Sequence, residues 1–282
     1  MATMTDEIRT LRRETGAGMM DCRRALEESL GDRETARLLL KQRGLAEVEK
    51  RAERETKEGR VFLHRGSSRA ALAAIACETD FVARNADFIA TGSSIAARAC
   101  DKRLSAPDAE VETAIAEIVG RIKENIVMKG LVCIEAGPGD FLETYLHGEG
   151  RIGVILRAGA EGAGRTGEAA LRVLLHYLCL HIAAFQPLYA DQASIPRSYR
   201  DEKEEAFRRE VDEDEKLRTK AATLREGIIA GKLKKHLAAI SLLDQAFVRD
   251  ETMSVREALG AFAAGEGAAI SILEFAVLRA GD

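Results

Sequence analysis

The sequence predicts an α+β protein of two or three domains with antiparallel sheets. At 282 residues the chain is longer than one hydrophobic core usually supports. Apolar stretches typical of strands come in runs between helical stretches, without strict alternation of single strands and helices. A hydrophobic fraction of 46% and a charged fraction of 31% are ordinary for a soluble folded protein.

Residues 1–45 are predicted to form a small unit of three helices. Thr5 or Asp6 offers an N-cap for the first helix, and glycines are expected to end the helices, the last of them at Gly44. A unit of this size has only a slight core, so we expect it to bind a partner. The charged residues 46–59 are predicted to form a largely helical tether.

Two further regions are predicted to share one plan. Residues 60–139 form the first, and residues 140–194 with 237–282 form the second. Each opens with a β-hairpin, continues into helices and closes with a strand. The first has hairpin strands, two helices and a closing strand at 60–64, 70–77, 86–102, 107–126 and 129–137.

Residues 195–236 are dense in charge and are predicted to be an inserted antiparallel pair of helices. Their apolar positions repeat at helical spacing, at Phe207, Val211, Leu217, Ala221, Leu224 and Ile228. Two helices that meet near residues 211–216 could pack along this narrow seam as a coiled-coil hairpin. A single solvated helix is the alternative.

Composition narrows the functional classes. The five cysteines include no C-x-x-C pair, which favours free thiols in a reducing compartment and a cytoplasmic location. The N-terminus has no apolar core of a secretory signal, and we find no apolar run near 18 residues, so no membrane span is expected. A net charge of −4 and the absence of Trp argue against direct nucleic-acid binding.

Motifs for catalysis are weak. "GEGRIG" at residues 148–153 matches G-x-G-x-x-G, but a strand follows it, so it is predicted to be a hairpin turn and not a nucleotide site. Cys77 and His64 on neighbouring strands could pair as nucleophile and base, yet no known signature surrounds them. The chain is therefore expected not to be an enzyme and to bind no cofactor.

His176, Cys179 and His181 form the local cluster of metal-type ligands. On a helix His181 lies about 140° around the axis from His176, which makes a three-ligand site poor. A role in the core or in partner contact is favoured, and no metal site is expected.

The stretch "CETDFVARN" at residues 77–85 ends an apolar strand with acids and a phenylalanine. One interpretation is structural: Thr79 or Asp80 caps a helix, and Phe81 fills the core. The alternative is that the segment contacts a partner.

Five motifs together carry a resemblance to a known family. They are "TGAGMMDCRRAL", "ETDFVARN", "HGEGRIGVIL", "HIAAFQP" and "GKLKKHLAAISL", at residues 15–26, 78–85, 147–156, 181–187 and 231–242. In this order the chain resembles bacterial elongation factor Ts from residue 5 to residue 279. The first two motifs are highly specific to that family.

The resemblance implies a guanine-nucleotide exchange factor for elongation factor Tu, which it would meet both GDP-bound and nucleotide-free. It also implies a ubiquitin-associated-like three-helix domain at the N-terminus, two related core subdomains and a coiled-coil hairpin. An adaptor acting through the helical domain, or a ribosome-associated scaffold without exchange activity, is the alternative. The family varies in self-association, so a homodimer is left open.

The resemblance further implies the contact residues. Thr79, Asp80, Phe81 and Val82 would enter the partner's G domain beside its nucleotide and Mg²⁺. Phe81 would act as a wedge there, and Asp80 would disturb the surroundings of the metal. A second set would grip a helix of the same domain, namely Arg9, Arg12, Met19 and Met20. His147 would belong to another contact. The bland alternatives are core packing for the methionines and an ordinary hairpin position for His147.

Overall fold

The computed structural model describes residues 3–51, 54–161 and 167–281. Within these ranges the chain has ten α-helices and eight strands. The strands pair in two three-stranded sheets and one two-stranded sheet. The predicted α+β class is confirmed.

The chain divides into two compact units. One comprises Met1–Glu135, Leu146–Ile155 and Leu278–Asp282, and the other comprises Ala136–Tyr145 and Leu156–Val277. Each unit has buried apolar residues of its own.

Three helices open the first unit: α1 (Met4–Thr15), α2 (Met19–Glu28) and α3 (Arg33–Arg51). The cap of α1 is Thr3, so the prediction of Thr5 or Asp6 is wrong. Thr3 Oγ1 accepts from the Asp6 N–H at 3.3 Å, and the Asp6 carboxylate accepts from the Thr3 N–H at 3.2 Å. This reciprocal capping box needs its acid three residues after the cap, which is where Asp6 lies.

The small core of this helical unit consists of Leu11, Cys22, Ala25, Leu26 and Ala36, all fully buried. The predicted helix end at Gly44 is wrong, because α3 continues to Arg51. A single glycine in a helix costs only about 1 kcal/mol, which good helix formers on either side can offset. Part of the predicted tether, residues 46–51, is therefore continuous with α3, whereas its residues 52–53 lie outside the described residues.

The first sheet has the strand order β1 (Glu58–Arg65), β2 (Arg69–Cys77) and β3 (Ile126–Glu135), all antiparallel. The central strand β2 is buried along nearly its whole length. The helices α5 (Ala86–Lys102) and α6 (Ala109–Ile122) pack with this sheet in one apolar core. Covering β2 on its face and pairing it at both edges excludes water from it.

The other strands and helices follow the predicted order, apart from a short two-stranded hairpin at residues 246–254 that the sequence did not predict. They are β4 (Phe141–His147), β5 (Ile152–Glu161), α7 (Glu168–Phe185), α8 (Arg197–Glu213), α9 (Ala222–Ile240), β6 (Ala246–Phe247), β7 (Asp250–Ser254), α10 (Val255–Glu266) and β8 (Ala269–Arg279). One sheet has the order β4-β5-β8, and β6 pairs antiparallel with β7.

Helices α8 and α9 pair antiparallel, so the alternative of a single solvated helix is wrong. Ion pairs show the direction: Arg208 lies 3.2 Å from Glu226, and Lys232 lies 2.6 Å from Glu210. Near the start of α8, Tyr199 hydrogen-bonds His236 at 3.0 Å.

The predicted apolar seam of this helix pair is wrong in its second half. Leu217 and Ala221 precede α9, because Asp214 Oδ1 accepts backbone N–H bonds from the turn that starts there. Leu224 is exposed, and Ile229 is more deeply buried than the predicted Ile228. Which apolar residues of α9 form the seam depends on the face that this helix turns toward α8. Helical spacing in the sequence alone does not define that face.

Helix α7 departs from the expectation that no apolar run nears 18 residues. Among the described residues it is the one helix long and apolar enough to cross a membrane, by length and composition. Its inner face is nevertheless buried inside its unit, at Leu171, Leu175, Leu178 and Ile182. Core helices of folded proteins pass the same test, and this buried face agrees with that role.

Gly92 of α5 generates a stability prediction. A Cβ at Gly92 would lie 2.1 Å from the buried ring of Phe62. Gly92→Ala should lower the free energy of unfolding by about 1–3 kcal/mol, as overpacking does. The matched control is Gly260→Ala in α10, where nothing lies within 4 Å, so it should be neutral or stabilising by up to about 1 kcal/mol. Urea denaturation measures both, and equal stability of the two variants would contradict this packing.

Candidate functional site

The segment after β2 forms a single helical turn, α4 (Asp80–Ala83). Thr79 is its N-cap, and Thr79 Oγ1 accepts from the Val82 N–H at 3.4 Å. The turn ends at once, because Asn85 caps the next helix by accepting the N–H of Asp87 at 2.8 Å. The prediction that Thr79 or Asp80 caps a helix is confirmed for Thr79.

Phe81 points away from the core on this turn. Its exposure is 80%, whereas the neighbouring Val82 is buried and Phe88 is only 1% exposed. The interpretation of Phe81 as a core residue is wrong. One turn of helix places successive side chains about 100° apart, so an inward Val82 leaves Phe81 facing outward.

Glu124 hydrogen-bonds the cap residue Thr79, and the sequence alone did not identify it as part of the site. Its carboxylate accepts from Thr79 Oγ1 at 2.9 Å and from the Thr79 N–H at 3.1 Å. The helix predicted to reach residue 126 ends at Ile122, because Lys123 adopts a left-handed φ of 69° and turns the chain. The signal was the polar "KEN" between an amphipathic helix and an apolar strand.

Glu78 forms a second link beside the first. Its Oε1 accepts from the Asn125 N–H at 2.5 Å and lies 3.3 Å from Arg54 Nη1. The Asn125 side-chain amide donates to the Arg54 carbonyl at 2.7 Å. Two consecutive residues before α4 are thus bonded to two consecutive residues after α6.

The structure brings the predicted hairpin turn beside Asp80. A surface cavity is lined by Asp80 and Arg84, which lie 3.3 Å apart as an ion pair, and by Gly148, Glu149 and Arg151. "GEGRIG" is a turn as predicted, with the Gly150 N–H bonded to the His147 carbonyl at 3.1 Å. His147 itself is exposed at the end of β4.

Gly150 attaches this turn to the first sheet. Its carbonyl accepts the N–H of Val61 in β1 at 2.7 Å, and its φ is 94°. A Cβ there would lie 2.7 Å from the Val61 carbonyl oxygen. Only glycine combines this backbone conformation with so close an approach.

The N-terminal candidates lie on the outer faces of α1 and α2. Arg9 and Arg12 are exposed on α1. Met19 and Met20 begin α2 and are 57% and 62% exposed. The alternative that these methionines fill the core of the helical unit is therefore wrong.

The Cys77 and His64 pair does not form. In the β1–β2 register Cys77 lies opposite Glu58, and His64 lies opposite Ala71, near the other end of the hairpin. Burial, with the nearby charges of Glu124 and Glu58, raises the pKa of Cys77 to about 12. The thiol therefore stays protonated near neutral pH, where a nucleophile would need the thiolate.

His181 is a core residue, as favoured from the sequence. Its Nδ1 accepts from the Val248 N–H at 3.2 Å, and its Nε2 lies 2.8 Å from Gln245 Oε1. Burial lowers the pKa of His181. His176 instead lies beside Glu143 at 3.8 Å. Across the part of the chain that the structure describes, no three His, Cys, Asp or Glu residues are grouped to hold a metal.

Comparison with known proteins identifies the family of the chain. Residues 78–282 match the family model described as Elongation factor TS. The chain is 36% identical to Elongation factor Ts of Treponema denticola over 281 residues, covering 100% of this chain and 99% of the relative. It is 37% identical to Elongation factor Ts of Borrelia garinii subsp. bavariensis, with 98% of each chain covered. The capped turn that exposes Phe81 thus lies on a chain that belongs to the elongation factor Ts family.

Proposed function

We propose that this chain releases GDP from elongation factor Tu by inserting the turn Thr79–Val82 beside the bound nucleotide and Mg²⁺. Its family membership makes it a guanine-nucleotide exchange factor for elongation factor Tu in translation elongation. The observation that carries the proposal for the turn is Phe81. This phenylalanine is 80% exposed on a turn that is capped and hydrogen-bonded to the chain after α6, so it contributes little to folding. An exposed aromatic ring on ordered backbone is well placed to contact a partner protein.

The chemistry of the turn suits the release of a metal-bound nucleotide. Mg²⁺ requires near-ideal octahedral geometry and retains several waters. Small displacements of the groups around the ion therefore weaken the binding of the metal and of the nucleotide that it holds. Phe81 supplies an apolar wedge. Asp80 supplies a carboxylate that competes for the hydrogen bonds of the waters and side chains around the Mg²⁺ ion. By linkage, if the exchange factor lowers the affinity of elongation factor Tu for its nucleotide, the nucleotide lowers the affinity of elongation factor Tu for the exchange factor by the same factor.

Two further contacts would hold the partner during exchange. Met19 and Met20 form an adaptable apolar surface, with Arg9 and Arg12 on the neighbouring helix. His147 would supply the other contact, next to the turn that lies beside Asp80. In this proposal these residues bind, Asp80 and Phe81 displace, and Thr79 and Val82 hold the turn in place.

We extend the proposal to the organisation of the chain. Residues 1–45 are a ubiquitin-associated-like domain, and residues 46–59 connect it to the core. The core has a subdomain of residues 60–139 and a related one of 140–194 with 237–282, and residues 195–236 insert as a coiled-coil hairpin. The protein acts in the cytoplasm without a cofactor, a metal, a membrane or direct contact with nucleic acid.

The first experiment measures release of labelled GDP from elongation factor Tu. The wild-type chain should accelerate release, and Phe81→Ala should reduce kcat/KM roughly 30-fold, the equivalent of about 2 kcal/mol for an interface hot spot. An adaptor or scaffold would bind elongation factor Tu or another partner without accelerating release.

Thermal and urea unfolding provide the control for that experiment. Phe81→Ala should change stability by no more than about 0.5 kcal/mol, because the ring is largely exposed. The matched variant Phe88→Ala, at a residue 1% exposed, should cost about 3–5 kcal/mol. A large loss of stability in Phe81→Ala would return Phe81 to a structural role.

The methionine surface predicts a different kinetic effect. Met19→Ala with Met20→Ala should raise KM for the GDP complex of elongation factor Tu while leaving kcat within a factor of two to three, on the order expected for loss of uniform binding. Steady-state exchange at varied partner concentration measures both constants. A fall in kcat at unchanged KM would show that these residues act in displacement.

A further inference from the structure

We propose that Glu124 is a positioning residue for nucleotide exchange, because it holds the turn that presents Phe81. This inference rests on the proposed function, and it assigns a role to a residue outside the Thr79–Val82 segment. Glu124 lies 45 positions from Thr79 in sequence. It would act only through Thr79, and no contact of its own with the partner is required.

The geometry at Thr79 is the first support. One carboxylate accepts two bonds from one residue, from the hydroxyl at 2.9 Å and from the backbone N–H at 3.1 Å. A charged acceptor makes such bonds stronger than neutral ones. The Thr79 hydroxyl donates a hydrogen bond to the Glu124 carboxylate. The lone pairs of Thr79 Oγ1 are then free to accept from the Val82 N–H at 3.4 Å. Glu124 thereby orients the cap of α4.

The size of α4 is the second support. A helix of four residues is a single turn, and isolated turns are unstable because nucleation costs more entropy than one hydrogen bond returns. Its outward residue Phe81 is exposed and adds no burial, so Val82 is its buried apolar anchor. Bonds from outside the turn must therefore contribute to its order.

The position of Glu124 is itself well defined. Lys123 turns the chain out of α6, and the buried Asn125 is fixed on the far side by Glu78 and by the Arg54 carbonyl. Strand β3 then begins at Ile126, inside the core. Glu124 is thus held between a helix end and a core strand, which makes it a firm support for the four-residue turn α4.

The consequence is kinetic. When the turn loses its support, only a fraction of molecules present Phe81 in the inserting orientation, and turnover falls to about that fraction of the wild-type value. Initial binding through Met19 and Met20 does not involve Glu124. Loss of Glu124 should therefore lower kcat for GDP release about tenfold or more and leave KM for the elongation factor Tu complex within about threefold.

The test compares Glu124→Ala with Glu112→Ala in the GDP-release assay, alone and combined with Phe81→Ala. Glu112 is an exposed glutamate of α6 and provides the matched control. Glu124→Ala should lower kcat and Glu112→Ala should not. In the Phe81→Ala background Glu124→Ala should add little further loss, since both variants remove the same inserted ring. Thr79→Val should behave like Glu124→Ala, and the two should not be additive.

Amide hydrogen exchange gives a readout without the partner. Glu124→Ala should speed exchange at the amides of residues 79–84 while the strand β2 stays protected. Equal kcat for Glu124→Ala and Glu112→Ala, or a full additional loss in the Phe81→Ala background, would overturn this inference while the proposed function stands. A wild-type chain that does not accelerate GDP release would instead overturn the proposed function, and this inference with it.

Discussion

Burial of the central strand β2 is the constraint on which the first unit depends. From Ala70 to Cys77 every residue of β2 is buried, with β1 and β3 bonded along its two edges. Helix α5 packs on this sheet in the same apolar core, and on the neighbouring strand β1 its Gly92 meets the Phe62 ring. A strand held on both edges cannot shift register without exposing its apolar face, so its end at Cys77 is a firm origin for the turn that follows.

The turn α4 follows this rigid strand and holds the side chain of Phe81 at the surface. Polar bonds from Glu78 and Glu124 take over where the apolar core stops, and they join the end of β2 to the start of β3. Val82 remains inside, and Phe81 is left outside. An exposed aromatic ring on ordered backbone forfeits burial that folding could have used, which is a common feature of sites shaped for a partner.

The loop after α6 connects two of the proposed contact surfaces. Lys123 lies 3.6 Å from Asp21, which belongs to the same helix as Met19 and Met20, and the next residue bonds Thr79. Partly exposed ion pairs of this kind contribute little stability. Their value here is geometric, because the helix that would grip the partner and the turn that would displace its nucleotide meet the same three residues, 123–125.

The sequence by itself determined the α+β class, the order of the main elements, the first hairpin and the family, because these depend on local periodicity, glycine positions and motif order. It also indicated Thr79 as a cap, since capping needs only a side-chain oxygen next to its own helix. It missed the short strands β6 and β7, which among the described residues pair only with each other. Tertiary structure decided what local pattern leaves undetermined. Whether Phe81 faces the core or solvent depends on where Val82 packs, and the partner of Thr79 lies 45 residues away. The burial of Ile229 has the same origin, because packing of α9 selects which apolar residue faces inward. The continuation of α3 past Gly44 is instead local, because a single glycine in a helix costs only about 1 kcal/mol.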